Sequence, residues 1–195
     1  LDALAEALES LGRIPGVFNG VGIILLGLAA GLLGLLAVGR HTADRGEGSE
    51  GARRLSLAYR IAAGIGLHNL GEGLAIGAAY ALGNVALGAF LIVGFTIHNT
   101  TEGFGVVAPV ARHGVAWRHL ALMGLLAGAP TILGTWIGGF TYSPAWAVLF
   151  LALGAGAVFQ VVYELARLLA RDAGEGVGGL TNVAGLLLGL LIMYG

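Results

Sequence analysis

The sequence predicts an all-α integral membrane protein with six transmembrane helices. Of its 195 residues, 57% are hydrophobic and 11% charged, against about 25% charged in an ordinary soluble domain. Its apolar stretches reach the roughly 20 residues needed to cross the hydrocarbon core of a bilayer. From Gly20 to Gly39, for example, there is no ionisable side chain. The basic residues, all of them Arg, fall in alternate loops.

Taken in order, the expected spans cover 15–39, 56–82, 84–111, 117–140, 144–170 and 178–194. Pro15 and Pro144 stand where the first turn of a helix tolerates proline. The loop at about 41–54 is expected to be flexible, because Gly46 to Gly51 is rich in Gly and charge and offers no core to fold around. Gly83-Asn84 makes a tight turn between the second and third spans. Pro109 removes a backbone donor late in the third span and predicts a kink there. Gly27/Gly31, Gly134/Gly138 and Gly185/Gly189 put small residues on one helical face, which allows close helix packing. Trp117, Trp136, Tyr142 and Trp146 lie near the expected interfaces, where aromatic side chains anchor.

Orientation follows from the arginines. Arg40, Arg45, Arg53, Arg54 and Arg60 border the loop after the first span, Arg112 and Arg118 the loop after the third, and Arg167 and Arg171 end the fifth. Only Arg13 lies on the other side. The positive-inside rule makes the basic loops cytoplasmic and leaves both ends of the chain outside. The whole chain, 1–195, is expected to form one transmembrane domain. The first ten residues are acidic rather than basic, so no cleavable signal peptide is expected. The chain has no Cys, which excludes disulfides and thiolate metal sites.

The chemistry lies in two neighbouring spans. The second contains His68-Asn69-Leu70-Gly71-Glu72-Gly73 and the third His98-Asn99-Thr100-Thr101-Glu102-Gly103. An ionisable residue within a span costs on the order of 3 kcal/mol, so such residues face a cavity or a partner. A His and a Glu four apart share one face of a helix. The turn at Gly83-Asn84 makes the spans antiparallel, and at 1.5 Å rise per residue both His lie roughly 20 Å below the outer end. The two motifs should therefore meet near mid-membrane. Imidazole, carboxylate and amide oxygen together suit Zn²⁺, Fe²⁺, Mn²⁺ or similar ions. One buried His in a span is ordinarily a packing residue; two matched motifs at one depth point instead to a metal or proton pathway.

Other polar residues carry less. Gln160 and Glu164, four apart on the fifth span, form either a secondary metal site on the exit side or an interfacial ion pair of Glu164 with Arg167 or Arg60. The ion pair is the favoured reading. His113 and His119 border a basic loop and are expected to be solvated. His41, Asp44, Glu47 and Glu50 read as a solvated linker, and Asp2, Glu6 and Glu9 as a polar helix face.

The paired motifs resemble the fourth and fifth transmembrane helices of the ZIP (Zrt/Irt-like) metal transporters, whose signature is close to His-Asn-x-x-Glu-Gly. The resemblance covers residues 15–195, matching the family's third to eighth helices, and Leu1 to Ser10 look like the end of its second. It implies that His68, Asn69, Glu72, His98, Asn99 and Glu102 line a metal pathway, and that divalent ions move toward the cytoplasm. The chain departs from the eight-helix pattern in lacking the first helix and most of the second, as a fragment would. Ala129 stands before Pro130 where the family often has Glu, and the cytoplasmic loop has only His41 where many relatives are His-rich. Glu164 falls near a cytoplasmic metal-binding position of the family.

The resulting expectation is a divalent-metal permease, not an enzyme, with the ion as its substrate and no cofactor required. A metallohydrolase is disfavoured because neither motif is His-Glu-x-x-His. The alternative is a membrane metal sensor or a degenerate, non-transporting relative. Protonation of His or Glu weakens metal binding, since ligands must be deprotonated. The expected partners are divalent ions and the lipid bilayer, with no nucleic acid; composition alone supports a homodimer through Gly-rich faces. Compact loops fit a bacterial inner membrane.

Overall fold

A computed structural model describes residues 20–44, 49–112, 114–140, 143–172 and 179–194. They form helices α1 (Val21–Asp44), α2 (Glu50–Ala81), α3 (Val85–Val107), α4 (Trp117–Phe140), α5 (Pro144–Asp172) and α6 (Leu180–Tyr194). A 3-10 turn, Ala108–Val110, follows α3, and there is no strand among the described residues. Two compact units divide the chain, Leu1–Val161 and Val162–Gly195, with the boundary inside α5.

Helix α4 and the Val148–Arg171 stretch of α5 are long and apolar enough to cross a membrane; α1 and α6 hold the shorter apolar runs Val21–Ala37 and Leu180–Gly189. In α2 and α3 the His-Asn-x-x-Glu residues interrupt the apolar sequence.

The helices claim more of the expected flexible loop than composition suggested. Helix α1 continues to Asp44, and α2 starts at Glu50. Ser49 caps α2 by accepting from the Ala52 N–H at 3.4 Å, which satisfies one of the unpaired donors at a helix start. Glu50 and Arg54, one turn apart, pair at 3.0 Å. Residues 45–48 lie outside the described residues, as do Arg13, Pro15, His113, Tyr142 and the Leu1–Ser10 stretch.

The turn between α2 and α3 is well specified. Gly83 adopts a left-handed φ of 76°, a conformation that costs a residue with a Cβ. The Asn84 N–H donates to the Ala79 carbonyl at 2.9 Å and the Gly83 N–H to the Tyr80 carbonyl at 3.0 Å, the paired bonds of a Schellman ending. Asn84 then caps α3, its side-chain oxygen accepting from the Leu87 N–H at 3.2 Å. One reversal thus ends α2 and starts α3 antiparallel to it. Pro109 differs from expectation: it sits in the 3-10 turn after α3 and so ends the helix instead of kinking it.

In the first unit α2 is the central element, buried along most of its length from Ala58 to Ala79. Glycines bring its backbone against α4. Gly66, Gly73 and Gly77 abut the carbonyls of Leu126, Thr131 and Thr135, and in return Gly134 and Gly138 abut those of Leu70 and Leu74. A Cβ at any of these positions collides with backbone. Helix α1 meets α5 in the same manner, with Gly31 against the Leu153 carbonyl and Gly156 against that of Leu28. Ile24, Val148, Leu151, Ala152 and Ala155 fill the neighbouring core. Close approach through small residues is how helices pack where lipid removes the hydrophobic drive between them. Two of the three predicted glycine pairs are thus consumed in internal packing, while Gly185 and Gly189 face open space.

Helix α3 is the opposite case, with only Gly88 and Val106 buried. Phe90, Val93, Ile97 and Phe104 on α3 are exposed, as are Leu122, Leu125, Leu133 and Trp136 on α4. Apolar surface on this scale marks an interaction face, of which a membrane is one kind. In the second unit the Arg167 guanidinium lies over the Tyr163 ring, 5.5 Å from its centre, and the described side chains of α6 are mostly exposed.

Candidate metal centre

The two motifs meet. Antiparallel α2 and α3 bring His68 and His98 together with ring centres 5.8 Å apart. Each imidazole Nε2 lies near both carboxylates. His68 Nε2 is 3.3 Å from Glu72 Oε1 and 3.8 Å from Glu102 Oε1; His98 Nε2 is 3.7 Å from Glu72 Oε1 and 3.2 Å from Glu102 Oε1. Two nitrogens and two oxygens thus converge from two helices. The His and Glu of each helix stand four apart, so the helical repeat alone puts them on one face.

Burial grades across the cluster. Asn69 and Glu72 are 3% and 4% exposed and His68 8%, while the side chains of His98 and Glu102 are 24% and 16% exposed. The α2 half is therefore sealed, and the α3 half is partly open. His68 packs tightly because Gly154 of α5 lies against its backbone.

The two asparagines have different partners. Asn69 Nδ2 donates to the Ala127 carbonyl of α4 at 3.0 Å, in the turn before Pro130. Asn99 Nδ2 donates to Glu72 Oε2 at 3.0 Å. The remaining oxygens Asn69 Oδ1, Asn99 Oδ1 and Glu102 Oε2, and the His68 Nδ1 nitrogen, are buried without a protein hydrogen-bond partner. Buried polar atoms are nearly always paired, and leaving one unpaired costs about 1–3 kcal/mol. Four such atoms gather at the paired motifs, where water or an ion could satisfy them.

The donor geometry suits a small cation. With metal–ligand bonds of 2.0–2.1 Å, tetrahedral ligands stand about 3.3 Å apart, close to the 3.3 and 3.2 Å within each helix's own His–Glu pair and shorter than the 3.7 and 3.8 Å between helices. The ligand atoms of His68, Glu72 and His98 all lie within 4.8 Å of one another. Ligation requires carboxylates in the ionised form and imidazoles in the neutral form, and a set of two of each would then carry a charge that one divalent ion balances. Ala129, half-buried just before Pro130, adds a methyl group and no donor.

Elsewhere, Gln160 is buried on α5 and Glu164, one turn further, is half-buried. His119 departs from the expected solvated state: it is half-buried, and its Nδ1 lies 2.9 Å from the Tyr59 hydroxyl, with the two rings edge to face. This clasp between α2 and α4 joins residues 60 apart, and no local spacing announces it. The Ala127 carbonyl is likewise a main-chain partner that side-chain motifs do not reveal.

Among the described residues, which are helical throughout their regular structure, two histidines and two glutamates gather between antiparallel helices in an arrangement compatible with a divalent ion. Comparison with known proteins narrows this. The chain is 27% identical over 124 residues to zinc transporter ZIP10 of Danio rerio, a match spanning 62% of this chain and 14% of that protein. This is a distant similarity to a ZIP transporter. The chain spans about one seventh of that relative's length. No family model and no solved structure matches the chain.

Proposed function

We propose that this chain is the metal-conducting part of a ZIP-type permease, embedded in a membrane through six helical spans, which carries Zn²⁺, Fe²⁺, Mn²⁺ or a similar ion toward the cytoplasm. One observation carries the reading: His68, Glu72, His98 and Glu102 aim four donor atoms at a common space with 3.2–3.8 Å between neighbours. Asn69 and Asn99 adjoin those four. On this reading the ion is the substrate, and it exchanges part of its water shell for imidazole and carboxylate. The half-open α3 side gives it a route in or out, and rearrangement of one helix group against another completes the passage. The absence of Cys favours release, because no thiolate holds the ion tightly. Gln160 and Glu164 are carried as a secondary position on the exit side. The Arg-rich loops favour the cytoplasmic assignment, with both ends of the chain outside.

Proteoliposomes holding the full chain test this directly. Uptake of Zn²⁺, Fe²⁺, Mn²⁺ or Cd²⁺ is expected in the wild type, with most of it lost in Glu72→Ala and in Glu102→Ala while insertion persists. Wild-type flux in both variants sinks the proposal. A second reading, a metal sensor or non-transporting relative, is favoured by Ala129, which supplies no ligand at the turn before Pro130. Saturable metal binding by well-folded protein without flux of any ion would select it.

A further inference from the structure

We infer that the Arg-rich end of α2, α3 and α4 binds the headgroup of an anionic phospholipid through Arg112 and Arg118, with Arg53 at the same end. This rests on the membrane reading above and not on the metal centre. Packing within the first unit brings these residues together. Helix α4 runs parallel to α2: His119 meets Tyr59 at 2.9 Å, and further along the Leu126 and Thr131 carbonyls meet Gly66 and Gly73. Helix α3 runs antiparallel, so its last residues return to the level where α2 begins, and the 3-10 turn that follows packs against α2. Arg112 comes just after that turn, Arg118 opens α4, and Arg53 lies in the first turn of α2. All three are exposed.

The charge at this end is unbalanced. From residue 50 to residue 161 the chain has five arginines, Arg53, Arg54, Arg60, Arg112 and Arg118, against three carboxylates. Glu72 and Glu102 belong to the metal centre, and Glu50 pairs with Arg54 at 3.0 Å. In the closing turns of α1, Arg40 and Asp44 add one charge of each sign. A guanidinium stays charged, and its fork of N–H groups matches a phosphate. The neighbouring surface decides which kind of phosphate. Trp117, 78% exposed, adjoins Arg118 at the start of α4, a helix long and apolar enough to cross a membrane. Leu122 and Leu125 follow Arg118 by four and seven residues, on the same helical face, and both are exposed. A ligand on this face meets cations at one end and apolar side chains along the next two turns. A phospholipid uses both parts, phosphate first and acyl chain beyond it; a free phosphate ion uses only the first. Tryptophan at headgroup level and basic residues at helix ends favour such contacts.

The test uses the full chain carrying Trp136→Phe and Trp146→Phe, which leaves Trp117 as its one tryptophan. It is reconstituted in phosphatidylcholine bilayers that hold brominated phosphatidylglycerol or brominated phosphatidylcholine, whose bromines quench tryptophan on contact. The expected result is stronger quenching by the anionic lipid at equal mole fraction. That preference should fall about 5-fold in Arg112→Gln and about 5-fold in Arg118→Gln, and millimolar inorganic phosphate should not reverse it. Equal quenching by the two lipids overturns the inference, as does a preference unchanged in both variants. Reversal by inorganic phosphate overturns it in favour of a free-anion site. Where a glutamine variant does not fold, the parent protein decides by salt: the preference should shrink as added NaCl screens the charge, and a salt-independent preference overturns the inference. Quenching by neither lipid overturns the membrane reading and this inference with it, while metal binding tests the centre separately.

Discussion

At the residue scale, Asn69 and Asn99 occupy equivalent places in two copies of one motif, yet their amides serve different neighbours. Asn69 fastens α2 to the main chain of α4 at Ala127, and Asn99 reaches the Glu72 carboxylate. The motif itself is symmetric, so the sequence shows both as equal candidates. The difference arises because α2 is enclosed by neighbours while α3 touches little besides α2. It has a measurable consequence. Replacing Asn69 by Ala removes a largely buried hydrogen bond, worth about 1 kcal/mol net. Thermal unfolding of the metal-free protein should register that loss, with the Co²⁺ bands at saturation unmoved. Asn99→Ala removes the bond to Glu72 instead and should weaken Zn²⁺ binding as well, and equal Zn²⁺ affinity of the two variants would contradict that difference. The His68, Glu72, His98 and Glu102 grouping, by contrast, is legible in the sequence. Spacing by four fixes each pair on a helix face, and the Gly83-Asn84 turn fixes the depth at which the pairs meet.

At the scale of elements, contact with α4 is set by glycine. Gly73 lies against the Thr131 carbonyl, whereas Gly94 on α3 has open space around it. Gly73→Ala pushes a methyl group into backbone that cannot yield, an overpacking expected to destabilise by about 1–3 kcal/mol. Gly94→Ala meets nothing and gains helix propensity, roughly 0.5–1 kcal/mol in its favour. Melting temperatures in detergent should move in opposite directions, and a neutral Gly73→Ala would contradict the close α2–α4 packing. The glycine spacings are visible in the sequence, but their partners are not. Gly27/Gly31 and Gly134/Gly138 face helices of the same unit, so they are not free to make a homodimer. Pro109 shows a similar limit: composition marks a break in helical bonding, and only the neighbouring turn decides between a bend and an end.

At the scale of the whole molecule, the six-span reading is open to a direct test because the chain has no native Cys. Arg53→Cys lies near the start of α2, and Leu82→Cys lies beyond its end, both at exposed positions. If α2 crosses the bilayer once, a membrane-impermeant maleimide should label the two from opposite sides, with Arg53→Cys on the cytoplasmic side as the positive-inside rule requires. Labelling of both from one side would remove α2 from the spans and with it the mid-membrane position of the centre.

The helical class, the order of the helices and the two His–Glu pairs follow from sequence alone. Those depend on local periodicity, on runs of apolar residues and on a turn whose Gly and Asn act through their own backbone and side chains. Tertiary contacts settle the rest: how deeply each half of the centre is buried, which asparagine holds Glu72, and that Tyr59 clasps His119. These join residues far apart in the chain and are set by how closely glycine lets one backbone approach another, and no local pattern encodes that distance.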